Sequence, residues 1–310
     1  MFKARFNRRG ALAVGALPLL LTVPAARMAQ AQDAAPAAAF AGRANQIRLG
    51  SFEVTTLLGG TGDMPDPIQT FGLNADPAEF EQVSAQNFIP NDRTGSGYTP
   101  TLVRTPEALV LFDAGDNAAN IGASMAAVGV MPEDITHVVL THMHGDHVRG
   151  LMADGAPAYP NAQLIVPRLE NDYWAANPGD AYTANVVPLL DGARQTDDGE
   201  EIVPGITAEG AYGHTPGHTT YLLDSEGQKL LITGDSFSHY VYSVERPDWQ
   251  VRFDIDKVKG AEARAKVLAR LAEERLPFIG YHMPFPALGF IAPNGENSFR
   301  YVPATYQFTR

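Results

Sequence analysis

No cysteine occurs among the 310 residues. That excludes a disulfide framework, a thiol nucleophile and any thiolate-ligated metal. Basic residues are also scarce, 23 Lys and Arg against 35 Asp and Glu, for a net charge of −12. Five of the 23, Lys3, Arg5, Arg8, Arg9 and Arg27, fall in the first 31 positions, where no acidic residue stands. The rest of the chain holds 18 basic against 35 acidic residues, a balance of −17. Phosphate contacts need clustered cations, so no nucleic-acid partner is expected. Highly anionic substrates are disfavoured on the same ground. Long hydrophobic runs are missing too. The apolar stretch Gly10–Pro24 is 15 residues long with Pro18 inside it, short of the ~20 that a membrane span requires. No stable membrane anchor is expected.

What is present reads as an exported globular protein. An apolar fraction of 45% with 19% charged residues suits a folded domain with one large core. Four positive charges in residues 1–9, the apolar stretch and Ala29-Gln30-Ala31 together have the layout of a secretory signal. The pair Arg8-Arg9 looks like a twin-arginine signal. The sequence therefore predicts cleavage after Ala31 and a periplasmic or secreted mature form. Residues 32–46 are Ala-rich and read as a flexible lead-in, and 47–310 as a single domain.

Within that domain strands and helices alternate, an α/β pattern. Strands are expected at Phe52–Leu58, Thr101–Arg104, Leu109–Asp113, Ile135–Leu140, Gln163–Val166, Thr219–Asp224, Lys229–Thr233 and Phe278–Tyr281. Asn117–Val128 reads as a helix of small residues. Lys257–Leu276 is the clearest helix, with Ala263, Val267, Leu268 and Leu271 on one face.

The histidines carry the chemistry. Three of only eight fall in Thr141-His142-Met143-His144-Gly145-Asp146-His147, directly after an apolar strand. Two imidazoles at i and i+2 on an extended segment point to the same side and can share a cation. Asp146 and His147 then turn toward a neighbouring position. Imidazole and carboxylate without thiolate suit Zn2+, with Mn, Fe or Co as other occupants.

Four more segments accompany this one: Leu109–Gly115 ending in Asp113-Ala114-Gly115, Gly213-His214-Thr215-Pro216-Gly217-His218, Thr233-Gly234-Asp235, and Tyr281-His282 before Met283-Pro284. In this order the five motifs resemble the metallo-β-lactamase superfamily over residues 51–310. The resemblance implies an αβ/βα sandwich of two mixed sheets flanked by helices, with two divalent metal ions at their edge. It implies that His142, His144 and His218 hold one ion, that Asp146, His147 and His282 hold the other, and that Asp235 bridges them. Asp113 would orient ligands, His214 would steady its loop, and a metal-bridging hydroxide would be the nucleophile.

Branches of the superfamily differ in chemistry. The absence of cysteine rules out the thiolate-ligand β-lactamases, and Asp235 favours the esterase, lactonase, thioesterase and phosphotriesterase branches. The segments Gly150-Leu151-Met152, Tyr212–Tyr221 and Arg300-Tyr301-Val302-Pro303 resemble the exported methyl parathion hydrolase family and its lactonase-like relatives. That likeness implies a dinuclear zinc hydrolase with Asp146 and Asp235 as catalytic carboxylates, acting on a neutral lactone or aryl ester. A phosphotriester hydrolase is the alternative, and a β-lactamase or a zinc carrier without turnover ranks below both. Trp174, Phe237, His239 and Tyr240 are the substrate-pocket candidates, while His137 reads as a structural histidine of its strand. The expected partners are a small ester or lactone and, as an assembly, a homodimer.

Overall fold

The computed structural model describes residues 40–306 and 308. The expected export signal and residues 32–39 of the lead-in lie outside these. The first strand, β1 (Arg43–Leu49), starts inside the expected lead-in, because Arg43–Gln46 pair with Leu58–Thr55 of β2 (Phe52–Leu58). A hairpin follows, β3 (Gly60–Pro65) with β4 (Arg93–Tyr98), and its two strands belong to neither large sheet. Between them come α1 (Ile68–Phe71) and α2 (Pro77–Gln86).

The first large sheet adds β5 (Thr101–Arg104), β6 (Leu109–Phe112), β7 (His137–Val139), β10 (Gln163–Pro167) and β11 (Arg194–Thr196), in the spatial order β1-β2-β5-β6-β7-β10-β11. It is antiparallel from β1 to β6 and parallel from β6 onward. A short ribbon of β8 (Met152–Ala153) and β9 (Ala156–Pro157) lies outside it. The second sheet takes β12 (Glu201–Val203), β13 (Ile206–Gly210), β14 (Thr219–Ser225), β15 (Gln228–Ile232), β16 (Phe278–Ile279), β17 (Leu288–Pro293) and β18 (Phe299–Pro303) in chain order. Only its β15–β16 pair is parallel. The remaining helices are α3 (Ala118–Ala126), α4 (Gly145–Val148), α5 (Arg168–Ala176), α6 (Tyr242–Glu245) and α7 (Lys257–Glu273).

The period-2 alternation of a strand decides which side chains meet. All four residues of β6 are buried, as befits an inner strand covered on both faces. Its Val110 and Phe112 join the core between the sheets, together with Val139, Ile165, Ile206, Ala208 and Tyr221. Its Leu109 and Leu111 join the core beneath α3, with Val138, Leu164, Ile121 and Met125. Helix α7 covers the second sheet. Asp256 caps it by accepting the N–H groups of Val258 and Lys259 at 3.2 and 3.0 Å. Its buried stripe is Gly260, Arg264, Leu268 and Leu271, with Ala263 and Val267 only half-buried. A fully buried arginine in an otherwise apolar stripe is unexpected, and its ion pair with the buried Asp254 accounts for it. The sandwich is the mixed two-sheet architecture that the motifs imply.

Candidate metal centre

The chain leaves β7 at a fixed point. Leu140 O accepts the Tyr221 hydroxyl at 2.8 Å and Thr141 O accepts the Thr219 N–H at 2.9 Å, so the strand end is tied to the opposite sheet. His142 and His144 follow, then Asp146 and His147 on the single turn of α4. The connection from β13 to β14 brings in His214. Nε2 of His142, Nδ1 of His144 and Nε2 of His214 form a triangle with sides of 3.0 to 3.2 Å. Three nitrogens on a tetrahedral Zn2+ at ~2.0 Å would stand about 3.3 Å apart. The spacing fits.

His218, expected as the third imidazole of this group, is not part of it. Its Nε2 accepts the Asp235 backbone N–H at 3.0 Å and its Nδ1 donates to Ala211 O at 3.3 Å. Both nitrogens are occupied by backbone, which leaves no lone pair for a cation. The turn that demands this is Gly234, with φ +49° and no room for a Cβ, which would lie 2.8 Å from His218 Nε2. His218 props the turn that presents Asp235, and His214, expected only to steady its loop, takes the place in the triangle.

The second group of donors is mixed. Asp146 Oδ2 lies 3.6 Å from His147 Nε2 and 3.4 Å from His282 Nε2. Asp235 stands between the two groups: Oδ1 is 3.4 Å from His147 Nε2, and Oδ2 is 3.0 Å from His282 Nε2 and 3.5 Å from His214 Nε2. Among the described residues, His147 Nε2 and Asp235 Oδ1 are buried and have no hydrogen-bond partner. Buried polar atoms are rarely left so, and two that face one another fit a shared cation.

Four of the five imidazoles are held by their other nitrogen. His147 Nδ1–H donates to Asp113 Oδ2 at 2.8 Å. Asp113 adopts φ +61°, a left-handed turn that aspartate tolerates, and it also accepts the N–H and hydroxyl of Thr141, each at 2.8 Å. That hydroxyl in turn faces His142 Nδ1 at 3.0 Å. His282 Nδ1–H points at Gly97 O at 2.9 Å, with Ser96 Oγ at 3.2 Å, so β4 of the hairpin sets its ring. His214 Nδ1–H donates to Asp254 Oδ1 at 2.8 Å, and Arg264 Nη2–H donates to Asp254 Oδ2 at 2.6 Å. Arg264 also donates to Pro247 O and Trp249 O, each at 2.9 Å. This explains the arginine in the stripe of α7. Burial alone would raise the Asp254 pKa, but the His214 N–H and the Arg264 charge outweigh it and hold the carboxyl below its usual range. Asp254→Asn should weaken Zn2+ binding about 10- to 100-fold, since an amide oxygen cannot serve both donors. It should also lower stability by about 3–5 kcal/mol by stranding Arg264. Chelator competition and a thermal melt read the two effects, and unchanged Zn2+ affinity would count against the relay.

Electrostatics divide the centre in two. Burial pushes His142 well below the ordinary imidazole range and His144 down to about 3, with neighbouring histidines adding to the shift. These rings are neutral, the form that binds a cation. Burial acts the same way on His147 and His282, but Asp235 and the other nearby carboxylates outweigh it and raise both. Burial would raise Asp235 in turn, yet His282 and His147 hold it well below the carboxylate range. The second group is where positive charge is best accommodated.

The donors open onto a cavity of about 360 Å3 lined by Met64, Tyr98, Asp116, His144, Gly145, Asp146, Arg149, Asp235, Phe253 and His282. Of the expected pocket residues, Trp174 stands closest to the centre, its ring edge-on to His144 at 5.8 Å between centroids and its Nε1–H donating to Glu170 at 2.7 Å. None of the four expected pocket residues, Trp174 included, lines the cavity. Phe237 is fully buried between the sheets against Phe278. His239 Nδ1 accepts the N–H groups of Val241 and Tyr242, and its Nε2 meets Thr94 Oγ1 at 3.0 Å. Its ring stacks with Tyr240 and Tyr242 in a third apolar cluster, and burial holds its pKa down to about 3. The chain after Asp235 turns inward, which removes these three from the pocket. His137 lies in β7 with Nδ1 on the Thr136 hydroxyl at 2.8 Å, away from the centre.

Residues 93–278 match the model of the metallo-beta-lactamase superfamily. An N-acyl homoserine lactonase of a Bacillus species is 30% identical over 169 residues, 54% of this chain and 62% of that protein. That of Bacillus cereus is 29% identical over 157 residues, 50% of this chain and 58% of that protein. The chain thus spans less than two thirds of the length of these relatives. Among solved structures, AidC, a dizinc quorum-quenching lactonase in complex with a product, N-hexanoyl-L-homoserine, superposes with a TM-score of 0.79 at 23% identity, over 86% of this chain and 99% of that one. The hydrolase AbOPH of the beta lactamase superfamily gives 0.78 at 23% identity, over 85% and 98%. At such identity both show a shared fold. A family match over more than half of the sequence, carried by the same two-sheet sandwich, makes this chain a member of the metallo-β-lactamase superfamily.

Proposed function

We propose that the protein is a metal-dependent hydrolase that opens neutral lactones or aryl esters, with an N-acyl homoserine or aryl lactone favoured. The observation that carries this reading is Asp235, placed between two sets of buried donors at the floor of a cavity. His142, His144 and His214 would hold one divalent cation and Asp146, His147 and His282 the other, with Asp235 shared. Imidazole and carboxylate donors suit Zn2+. Two such cations supply a water acidic enough to attack at neutral pH and a Lewis acid for the carbonyl and leaving oxygens.

The chain's own residues select the substrate. Met64 and Phe253 add apolar surface to the lining, and the Tyr98 ring stands edge-on to His282 at 5.6 Å. These would bind an acyl chain or aryl ring. The basic residue of the lining other than histidine is Arg149, and Asp116 pairs with it. With Asp116 paired to Arg149 and with Asp146 and Asp235 engaged by the cations, the lining offers no cluster of free basic side chains to grip a polyanion, which suits a neutral ester. The similar Bacillus lactonases support the lactone within that class.

The test is a substrate panel on Zn2+-loaded protein: an N-acyl homoserine lactone, an aryl lactone, an aryl ester, a neutral phosphotriester and a cephalosporin. We expect kcat/KM on a lactone to exceed that on the phosphotriester by at least about tenfold, a difference of ~1.4 kcal/mol in transition-state binding. Efficient phosphotriester turnover with inert lactones would overturn the assignment.

A further inference from the structure

We propose that Glu170 is a positioning residue for the three-imidazole half of the centre, an inference that rests on reading His142, His144 and His214 as metal ligands. Glu170 lies in the first turn of α5 and is fully buried. It reaches no donor of the centre. Its Oε1 accepts the Met143 N–H at 3.0 Å and the Trp174 Nε1–H at 2.7 Å, and its Oε2 accepts the Thr215 hydroxyl at 2.6 Å and the Gly217 N–H at 3.0 Å. Met143 sits between His142 and His144 in the chain, and Thr215 follows His214. One carboxylate therefore ties the loop that leaves β7 of the first sheet to the loop that enters β14 of the second. These are the two loops that carry the triangle. The approach is tight, since a Cβ on Gly217 would run into the Glu170 backbone. Trp174, one turn further along α5, brings its ring against His144.

The energetics argue for a purpose beyond filling space. A buried carboxylate is costly, and an apolar side chain of similar size would cover the same surface at less expense. Only an acceptor with two oxygens can satisfy four donors from two separate loops and the helix. Burial raises the Glu170 pKa while all four hydrogen bonds act to lower it, so the donors oppose the desolvation. What they secure is the triangle. Three imidazole lone pairs aimed at one point repel each other, and loops without a tie would spread. A tie built into the fold keeps the nitrogens 3.0 to 3.2 Å apart and spares the ordering cost at binding.

Glu170→Gln keeps the shape but replaces one oxygen by an NH2 that cannot accept, so one of the two loops loses its anchor. Thr215→Val removes a single donor and leaves the carboxylate in place. Both variants are compared with the wild-type chain in Zn2+ affinity by chelator competition, in the visible spectrum of Co2+-loaded protein, and in the melting temperature of chelated protein. For Glu170→Gln we expect one Zn2+ to bind about 10- to 100-fold more weakly, with the other changed by less than about threefold. The Co2+ bands should shift, and Thr215→Val should show the same direction at smaller size. Wild-type Zn2+ affinity and Co2+ bands in Glu170→Gln, whatever the melting temperature, would overturn the proposal and leave Glu170 a fold residue. If Glu170→Gln does not fold, unaltered affinity and bands in Thr215→Val overturn it. A wild-type chain that binds no Zn2+ would instead remove the reading of the ligands on which this rests.

Discussion

His214→Ala is expected to cut the metal content from two ions per chain to one and to lower kcat/KM by about 1000-fold or more. Losing an ion forfeits several kcal/mol of transition-state stabilisation, and each ~1.4 kcal/mol is tenfold in rate. His218→Ala, four residues away in the same motif, is expected to keep both ions. Its effect falls on stability, because the Asp235 N–H and Ala211 O that it satisfies would be left buried and unpaired, at about 1–3 kcal/mol for each group. Elemental analysis and a thermal melt on the two variants separate the roles. Loss of an ion from His218→Ala with both ions retained in His214→Ala would reverse the assignment.

Asp235→Asn is the second large effect. Asparagine preserves the turn at Gly234 and the backbone N–H that His218 accepts, so the fold should survive. What goes is the charge between the two groups of donors. Two dications close together would then face less compensating charge, and the second ion should dissociate first. We expect metal content near one ion per chain, turnover down by about 1000-fold or more, and a melting temperature of chelated protein within a few degrees of wild type. Two tightly held ions in this variant would sink the bridging role.

How much of this was legible in the sequence depended on whether a residue's partner lay nearby in the chain. The apolar strands β2, β5, β6, β10, β14 and β15 stand close to where their apolar runs place them, and α7 starts at its expected residue. The hairpin β3–β4 has no signature in the sequence, because Gly-Thr-Gly-Asp-Met-Pro and Arg-Thr-Gly-Ser-Gly-Tyr carry no apolar alternation. Helices α2 and α5 are mostly polar and bury only short faces, Phe80, Val83 and Ser84 in one, Glu170 and Asn171 in the other. The exchange of His214 and His218 has the same origin. Spacing puts both rings at one turn, and which nitrogen stays free is decided by Asp254, forty residues on, and by the backbone of Asp235. Phe237, His239 and Tyr240 follow a candidate ligand, Asp235, which in the sequence points to the pocket, but adjacency in the chain does not say which way it turns. One local clue was present. Arg264 falls on the buried face of α7, where only a buried acid could keep it.

The hairpin β3–β4 has a consequence for how such a protein changes its diet over generations. It donates no ligand, yet Met64 and Tyr98 face the cavity while Ser96 and Gly97 hold His282. Neighbouring positions on one ribbon thus answer to different selective pressures. On the proposed reading, Met64 can drift and alter which groups the cavity accepts, with His282 undisturbed. A change of backbone at Ser96 or Gly97 would loosen His282 and spoil every substrate at once. A lineage that explores new substrates through this ribbon is therefore steered toward side-chain exchange at Met64 and Tyr98, and away from insertions that shift the register of β4.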